Sequence, residues 1–211
     1  MSTTYSTLNP EKISHLTLTV SPIDFDAYKA NHKPHEGLMF TMGADADVEK
    51  MVAVHGNVPA SVLNESFMMA SPFILNYGKY ADVIDILDDR LALQNFLRME
   101  KWIFDSPDQA GETWRQFLKD CYQENNFFHG RMFVGGRRVD LGQITCSLLT
   151  LIADKDTIAP PASSLALASK VGSHDHTTLR FDVGHIGLST SSKGPRLIWP
   201  QIAAWLAARS D

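Results

Sequence analysis

The sequence is short of the features that define several large classes of protein. It has two cysteines in 211 residues, Cys121 and Cys146, and no C-x-x-C pair, so it predicts no disulfide framework and favours a reducing compartment. No apolar run reaches the length of about 18 residues that suggests a transmembrane segment. The net charge is −5 without a basic stripe, which argues against nucleic acid as a partner. The first residues have no signal-peptide pattern, so we expect a cytoplasmic chain.

The hydrophobic pattern divides the chain into three blocks. Residues 1–36 predict the end of a helix, a strand over residues 15–20 and a loop. Residues 37–130 have the 3.6-residue period of helices. Residues 131–211 return to strands that alternate with helices. This order predicts an α/β fold with a mostly parallel sheet and a helical insertion.

The helical block contains one helix start that the sequence marks clearly. Ser106 is a predicted N-cap, with Pro107 at the first helical position and Gln109 at the third, which is a capping-box pattern. Upstream, Gly56 is a predicted C-terminal stop for another helix. Apolar residues then follow Ser106 at the spacing of one helix face and predict a packed stripe: Trp114, Phe117, Leu118, Cys121 and Tyr122.

The third block predicts short strands and the turns between them. A hairpin should turn at Gly135 and Gly136. Residues 146–153 are almost wholly apolar without alternation, which is typical of a parallel strand covered on both faces. A helix should begin at Pro161 and stop at Gly172. Residues 177–181 predict the next strand, and a final helix closes the block.

Two polar residues follow the predicted parallel strands at the points where these end. Asp156 comes just after the first strand, and His185 comes just after the second, between two glycines. Sites in open parallel sheets lie at the carboxyl ends of strands, and an acid followed by a histidine is the second half of the nucleophile–acid–base order of α/β hydrolases. Histidine can take up and return a proton near neutral pH, while a carboxylate orients it. Asp154 competes for the acid position, but we expect it at the strand end or in an ion pair with Lys155 or another base.

The third member of such a site, the nucleophile, is missing from the sequence. No G-x-[SC]-x-G elbow occurs anywhere in the chain. Cys121 lies on the predicted helical stripe without flanking glycines, and we expect it to be a packing residue. Cys146 begins the strand that leads to Asp156, so the two side chains should lie too far apart to meet.

Other polar clusters in the sequence predict no function. Neither of two histidine-rich stretches has the spacing of a zinc site, so both are expected to be solvated loops and no metal is predicted. An aspartate-rich segment is expected to be the solvated face of a helix. These clusters are His32, His35 and Glu36, then His174, Asp175 and His176, and finally Asp82, Asp85, Asp88 and Asp89.

Several longer stretches resemble one family of enzymes. LNPEKISHLTLTVSPIDF, MEKWIFDSPDQAGE, ADKDTIAPPASS and GHIGL are similar to segments of the catalytic subunit of class III polyhydroxyalkanoate synthases. The resemblance covers nearly all of the chain from about Tyr5 and is to the C-terminal portion of that subunit. It implies the C-terminal part of an α/β-hydrolase core, split into residues 1–36 and 131–211, with a helical cap at residues 37–130.

The resemblance also implies a reaction and its residues. Asp156 would be the acid and His185 the base of a site whose nucleophile is a cysteine in a G-x-C-x-G-G elbow. That elbow is expected upstream of Met1, so the sequence predicts a truncated chain without a nucleophile and without activity of its own. The reaction would polymerise 3-hydroxyacyl groups from CoA thioesters into polyester through an acyl-cysteine, with no cofactor.

Partners and location follow from the same resemblance. The implied partners are 3-hydroxyacyl-CoA, the polyester chain, a second synthase subunit and a second copy in a homodimer. The expected location is the cytoplasm, at the surface of polyester granules. Two other functions stay open: a non-catalytic partner of a full-length synthase, and the remnant of an ordinary α/β-hydrolase esterase or depolymerase.

Overall fold

The computed structural model describes residues 1–27, 38–70 and 77–210, and these form two compact units. The first unit, called the core here, comprises Met1–Ala44 and Lys119–Asp211. The second, called the helical unit, is Asp45–Leu118. The predicted loop with His32, His35 and Glu36 lies outside the described residues.

Parallel strands form the centre of the core. The chain has five described strands: β1 (His15–Thr19), β2 (Phe133–Val134), β3 (Arg137–Arg138), β4 (Ser147–Ala153) and β5 (His176–Phe181). Strands β1, β4 and β5 make one parallel sheet in that order, with Thr17 beside Leu149 and Leu149 beside Thr177. The predicted strands over residues 146–153 and 177–181 are therefore confirmed, and β4 is the central one.

Strand β4 is buried on both of its faces, which explains why its sequence does not alternate. Leu148 packs into one apolar cluster with Leu16, Leu18 and Ile144. Its neighbours Leu149, Leu151 and Ala153 point to the other face of the sheet, into a second cluster that includes Phe181, Val183, Leu188, Ile198 and Trp205. Burying each large apolar side chain contributes about 1.5–3 kcal/mol, so β4 is the main anchor of the fold.

Helices of the core surround this sheet. They are α1 (Ser2–Leu8), α2 (Leu38–Asp45), α8 (Asn126–His129), α9 (Pro161–Leu165), α10 (Gly187–Thr190) and α11 (Trp199–Ala207). Short 3₁₀ turns cover Pro10–Lys12, Leu141–Gln143 and Ala166–Ser169, and π-helical turns cover Leu118–Gln123 and Gly194–Ile198. The predicted hairpin is confirmed, because Gly135 and Gly136 have the positive φ values, 57° and 75°, that its turn requires.

The helical unit interrupts the core sequence between β1 and β4. Its helices are α3 (Val48–His55), α4 (Ala60–Ala70), α5 (Lys79–Asp82), α6 (Arg90–Phe104) and α7 (Gly111–Phe117), with a 3₁₀ turn at Val83–Ile86. Asp47 and Asp89 cap α3 and α6 by accepting hydrogen bonds from backbone amides in the first turn. Gly56 ends α3 with φ 69°, as predicted. Nowhere in the described part of the chain does a helix have the length and apolar character to cross a membrane.

Two predicted helix boundaries are wrong. Ser106 does not cap a helix start: α7 begins five residues later at Gly111, and the Ser106 hydroxyl donates to the carbonyl of Ile103 in the preceding helix. The backbone of Gln109 instead pairs with that of Val58 in an antiparallel bridge, which prevents the helix from starting there.

Gly172 is not the stop of α9. The helical conformation ends at Ser169, and Gly172 is needed because the carbonyl oxygen of Gly142 passes so close that a Cβ would lie 2.3 Å from it.

The predicted apolar stripe is interrupted by a change of helix type. The chain passes from α7 into the π-helical turn at Leu118, so the spacing of one face is not kept. Leu118 and Cys121 are buried, whereas Phe117 remains 36% exposed. The stripe therefore contributes packed residues, but not one continuous face.

Candidate active site

The ends of β4 and β5 bring two exit segments of the chain together. Both strands run in the same direction, so both carboxyl ends lie at one edge of the sheet. Beyond the strands, the amide of Asp154 donates to the carbonyl of Phe181 (2.9 Å) and the amide of Lys155 donates to the carbonyl of Val183 (3.0 Å). These bonds hold the segment that carries Asp156 beside the one that carries His185.

Asp156 lies in a tight turn that its own side chain stabilises. Its Oδ1 accepts hydrogen bonds from the amides of Ile158 (2.9 Å) and Ala159 (2.8 Å). The side chain has no exposed surface. A buried carboxylate is costly unless hydrogen bonds satisfy it, and these two amides, together with the imidazole described next, do so.

His185 contacts the other oxygen of the same carboxylate. Its Nδ1 lies 2.8 Å from Asp156 Oδ2, and the imidazole is 30% exposed. An ionised carboxylate can only accept, so we assign the proton of the neutral ring to Nδ1, which leaves a lone pair on Nε2. The arrangement can therefore remove a proton from a group that approaches Nε2 and stabilise the imidazolium that results.

Asp154, the competing aspartate, makes a different contact. Its Oδ1 accepts from Arg180 at Nε (2.8 Å) and Nη2 (2.6 Å), which is an ion pair with a residue of the neighbouring strand. Lys155 pairs with Asp182 instead (2.9 Å). The structure therefore brings His185 to Asp156. Asp154 is in an ion pair, as expected, and the base whose identity the sequence left open is Arg180.

The surroundings of neither cysteine favour the thiolate, which is the form that acts as a nucleophile. Cys121 is buried, and burial together with the charge of Asp120 raises the pKa of its thiol to about 12. Partial burial also raises the pKa of Cys146. Cys146 lies at the amino end of β4, and the strand of seven residues that follows it spans about 23 Å before the chain reaches Asp156.

The second histidine-rich stretch takes part in pairs at the amino end of β5. Arg209 binds Asp175 through two bonds of 2.5 and 2.6 Å and lowers the pKa of that carboxyl to about 2. His176 Nε2 lies 3.0 Å from the hydroxyl of Thr150, and burial lowers the pKa of this imidazole. Within residues 1–27, 38–70 and 77–210, no group of three or more such side chains is arranged to hold a metal ion.

The sequence did not reveal two buried polar residues behind the turn that holds Asp156. Ser163, in α9, accepts a hydrogen bond from the chain segment that follows β1, and Asn125, just before α8, accepts one from the same segment. Their partners are 140 and 100 residues away in the sequence. Local patterns give no signal for such contacts, although the run PPASS includes Ser163.

Comparison with curated proteins finds relatives of one kind. The chain is 48% identical over 207 residues to the poly(3-hydroxyalkanoate) polymerase subunit PhaC of Synechocystis, a match that covers 97% of the chain and 54% of that protein. It is 44% identical to PhaC of Allochromatium vinosum (97% and 56%) and 33% identical to PhaC of Haloarcula marismortui (100% and 43%). The chain is thus homologous to PhaC over almost its whole length and spans about half the length of these relatives. No protein-family model matches it.

Solved structures establish the fold. A monoacylglycerol lipase of Paleococcus ferrophilus superimposes with a TM-score of 0.54 at 16% identity and covers 99% of this chain and 64% of the lipase. BpoC of Mycobacterium tuberculosis, described as a non-heme bromoperoxidase, gives 0.52 at 13% identity, with 99% and 63% covered. The chain has the fold of the C-terminal part of an α/β hydrolase, as the sequence predicted.

Proposed function

We propose that this chain is the acid–base half of a poly(3-hydroxyalkanoate) polymerase subunit, of the class III type that its motifs resemble. The observation that carries the proposal is the 2.8 Å contact between His185 and the buried Asp156 at the carboxyl edge of a parallel sheet. The homology to PhaC over almost the whole chain supplies the reaction class. The chain has no nucleophile elbow, and we propose that the nucleophile is a cysteine from a segment outside these 211 residues.

The first step is the transfer of an acyl group to that cysteine. Nε2 of His185 takes the proton of the thiol, and the thiolate attacks the carbonyl carbon of a 3-hydroxyacyl-CoA thioester. The bond between the carbonyl carbon and the sulfur of CoA then breaks. His185 returns its proton to the departing CoA thiolate, so the products are free CoA and the acyl-enzyme.

The second step lengthens the polyester. The terminal hydroxyl of the growing chain loses its proton to His185, and its oxygen attacks the carbonyl carbon of the acyl-cysteine to form one ester bond. The bond between that carbon and the cysteine sulfur breaks, and His185 returns its proton to the sulfur, which regenerates the thiol. Asp156 could in principle be the direct base for this hydroxyl. Its burial argues against that, because the side chain is wholly covered and both oxygens already accept hydrogen bonds. We therefore assign Asp156 to orienting His185 in both steps.

The remaining parts of the proposal concern the insertion and the partners. Residues 37–130 would be a cap, which is supported by a compact helical unit within that range at Asp45–Leu118. No cofactor is required, since the CoA thioester is the substrate. A second synthase subunit, a second copy of the chain and the surface of cytoplasmic polyester granules are the partners and the location that the class III resemblance implies.

The test joins this chain to the part of the Synechocystis subunit that it does not match. CoA release from 3-hydroxybutyryl-CoA and the formation of polymer are measured for the chain alone and for the joined protein. We expect release and polymer only from the joined protein, and none from its His185→Ala variant.

The other results would point elsewhere. Release of CoA by the chain alone would contradict the proposal, because it would require a nucleophile among these residues. Hydrolysis to free 3-hydroxybutyrate without polymer would favour an ordinary esterase. A change in the rate or the assembly of a full-length synthase, with no turnover by the joined protein, would favour a non-catalytic partner.

A further inference from the structure

A second polar network lies behind the turn that holds Asp156. Its first member is Ser163, which is completely buried and belongs to the helix that follows this turn. The hydroxyl of Ser163 accepts a hydrogen bond from the amide of Ile23 (3.2 Å), and its carbonyl accepts one from the amide of Asp24 (3.2 Å). Ser163 thus binds the acid segment to the segment that follows β1.

The second member is Asn125, which is 2% exposed. Its Oδ1 accepts from the amide of Phe25 (3.1 Å), and its Nδ2 donates to the carboxylates of Asp24 (2.7 Å) and Asp26 (3.2 Å). Asn125 has left-handed backbone angles, φ 49° and ψ 30°, a conformation that few residues other than glycine and asparagine adopt readily. A buried asparagine in this conformation, with all its side-chain polar atoms engaged, is typical of a fixed structural junction.

Together the two residues bind three consecutive backbone amides: the side chains of Ser163 and Asn125 accept from residues 23 and 25, and the main-chain carbonyl of Ser163 accepts from residue 24. This segment leaves β1 at the same edge of the sheet as the acid and the base. The route from Ser163 back to Asp156 is short and stiff: it contains Pro160, Pro161 and the turn that the Asp156 carboxylate holds. A displacement of the segment after β1 is therefore passed to Asp156 and not absorbed by a flexible loop.

We propose that Asn125 and Ser163 are positioning residues, which hold Asp156 at the distance at which it fixes the Nδ1–H tautomer of His185. Neither residue touches the reacting atoms. The inference deepens the proposed function and rests on it, because positioning matters for turnover only if the pair is catalytic.

Variants of Asn125 distinguish the contribution of its side-chain hydrogen bonds from that of its backbone conformation. Asn125→Gly keeps the left-handed conformation, since glycine adopts it without strain, and removes all three side-chain hydrogen bonds. Asn125→Asp keeps an acceptor for Phe25 but replaces the donor with a carboxylate that faces Asp24 and Asp26. Asn125→Asp should therefore keep the bond to Phe25 and lose both bonds that Nδ2 donates.

Ser163→Ala removes the acceptor for Ile23 only. Ile198→Val is the matched control, because it destabilises the core at a buried apolar position that has no part in the network.

The first measurement is made on the ¹⁵N-labelled chain by itself. Long-range proton–nitrogen correlation spectra at alkaline pH, where histidine is neutral, report which ring nitrogen of His185 carries the proton. We expect the Nδ1–H form in the wild type and in Ile198→Val. In Asn125→Gly and Ser163→Ala we expect a shift toward the Nε2–H form that free histidine favours in water. A wild-type tautomer in both network variants would overturn the proposal, and so would an equal shift in Ile198→Val.

The second measurement uses the joined protein. Ser163→Ala and Asn125→Gly should lower kcat by about 10- to 100-fold with little change in KM, since small misplacements of catalytic groups cost this much. An unchanged kcat would overturn the role of the network in turnover. If the wild-type joined protein does not turn over, the proposed function fails, while the tautomer measurement still decides whether the network positions the pair.

Discussion

Strand β4 in the core and helix α6 in the helical unit bury their side chains to opposite extents. In β4 every residue from Leu148 to Ala153 is buried. In α6, all fifteen residues of which are described, none is buried, and Leu91, Leu97 and Trp102 are 64%, 55% and 63% exposed. The two elements differ in how they are stabilised: β4 by apolar burial on two faces, and α6 by its cap and by contacts of half-buried residues, such as Glu100 with Lys79 and Phe96 with Tyr80.

The polar contacts of the helical unit illustrate this second mode. Glu100, in α6, accepts from Lys79 Nζ (2.7 Å) and from the hydroxyl of Tyr80 (2.6 Å), and this bond to Glu100 raises the pKa of Tyr80. Arg115 pairs with both Glu49 (2.9 Å) and Glu112. Ion pairs near the surface contribute little each. The candidate catalytic residues instead follow β4, in which every residue from Leu148 to Ala153 is buried, and its parallel neighbour β5.

The largest expected difference between the two regions is in turnover. Asp156→Asn in the joined enzyme should lower kcat by about 10⁴-fold, if the behaviour of serine proteases transfers, because the imidazole loses the partner that sets its tautomer. Asp85→Asn, an exposed aspartate of the helical unit, should leave turnover unchanged. CoA release is the assay.

Asp154→Asn provides the control within the core. It breaks only the ion pair with Arg180, and its effect on turnover should be mild. A severe loss of turnover in Asp154→Asn, together with a mild loss in Asp156→Asn, would mean that Asp154 and not Asp156 orients His185.

The next largest difference is in stability. Leu151→Ala, at a position 1% exposed in β4, should lower the free energy of unfolding by about 2–5 kcal/mol, because it leaves a cavity that the sheet cannot close. Leu97→Ala in α6 should change it by less than about 0.5 kcal/mol. Urea unfolding, monitored by circular dichroism, measures both changes. Equal losses of unfolding free energy would contradict the claim that β4 depends on apolar burial more than α6 does.

A smaller effect tests what does stabilise α6. Asp89→Ala removes the acceptor for the amides of Leu91 and Ala92 and should cost about 1 kcal/mol. Asp88→Ala, next to it and exposed, is the matched control and should cost far less. Hydrogen exchange of the α6 amides should accelerate in the first variant only; faster exchange in both would mean that charge, not capping, is responsible.

The smallest expected effect is that of an exposed ion pair in the core. Arg209 lowers the pKa of Asp175 to about 2, so the pair stabilises the fold above the ordinary aspartate pKa of about 3.9 and ceases to do so as the pH falls through 2. Asp175→Asn should lower the Tm by about 1–2 °C at neutral pH, and the difference from wild type should shrink as the pH falls toward 2. A difference that stays the same size at pH 2 would assign the effect to packing.

Strands, the hairpin turn and the contact between Asp156 and His185 were predictable because their signals are local. The continuous apolar run of β4, the two glycines of the hairpin and the positions of Asp156 and His185 after strand ends each rest on a few neighbouring residues. The pairing at 2.8 Å could be expected because parallel neighbours end at the same edge of a sheet.

The boundaries that failed were decided by distant residues. The capping pattern at Ser106 is locally sound, but Val58, which is wholly buried, holds Gln109 in a bridge. The need for Gly172 comes from the carbonyl of Gly142. Asn125 and Ser163 were not anticipated for the same reason: their partners lie far away in the sequence and could be identified only in the folded chain.

The bond between Asn125 and Asp24 has a consequence for how much this chain can vary. The two residues are 101 positions apart and are joined by a hydrogen bond of 2.7 Å, so the whole helical insertion is a loop whose two ends are held together by the core. The entropy lost on closing such a loop grows only with the logarithm of its length, and doubling the insertion would add about 0.6 kcal/mol. Changes of length within the helical unit, Asp45–Leu118, should therefore cost little in loop-closure entropy, as long as the bond between Asn125 and Asp24 holds the two ends together.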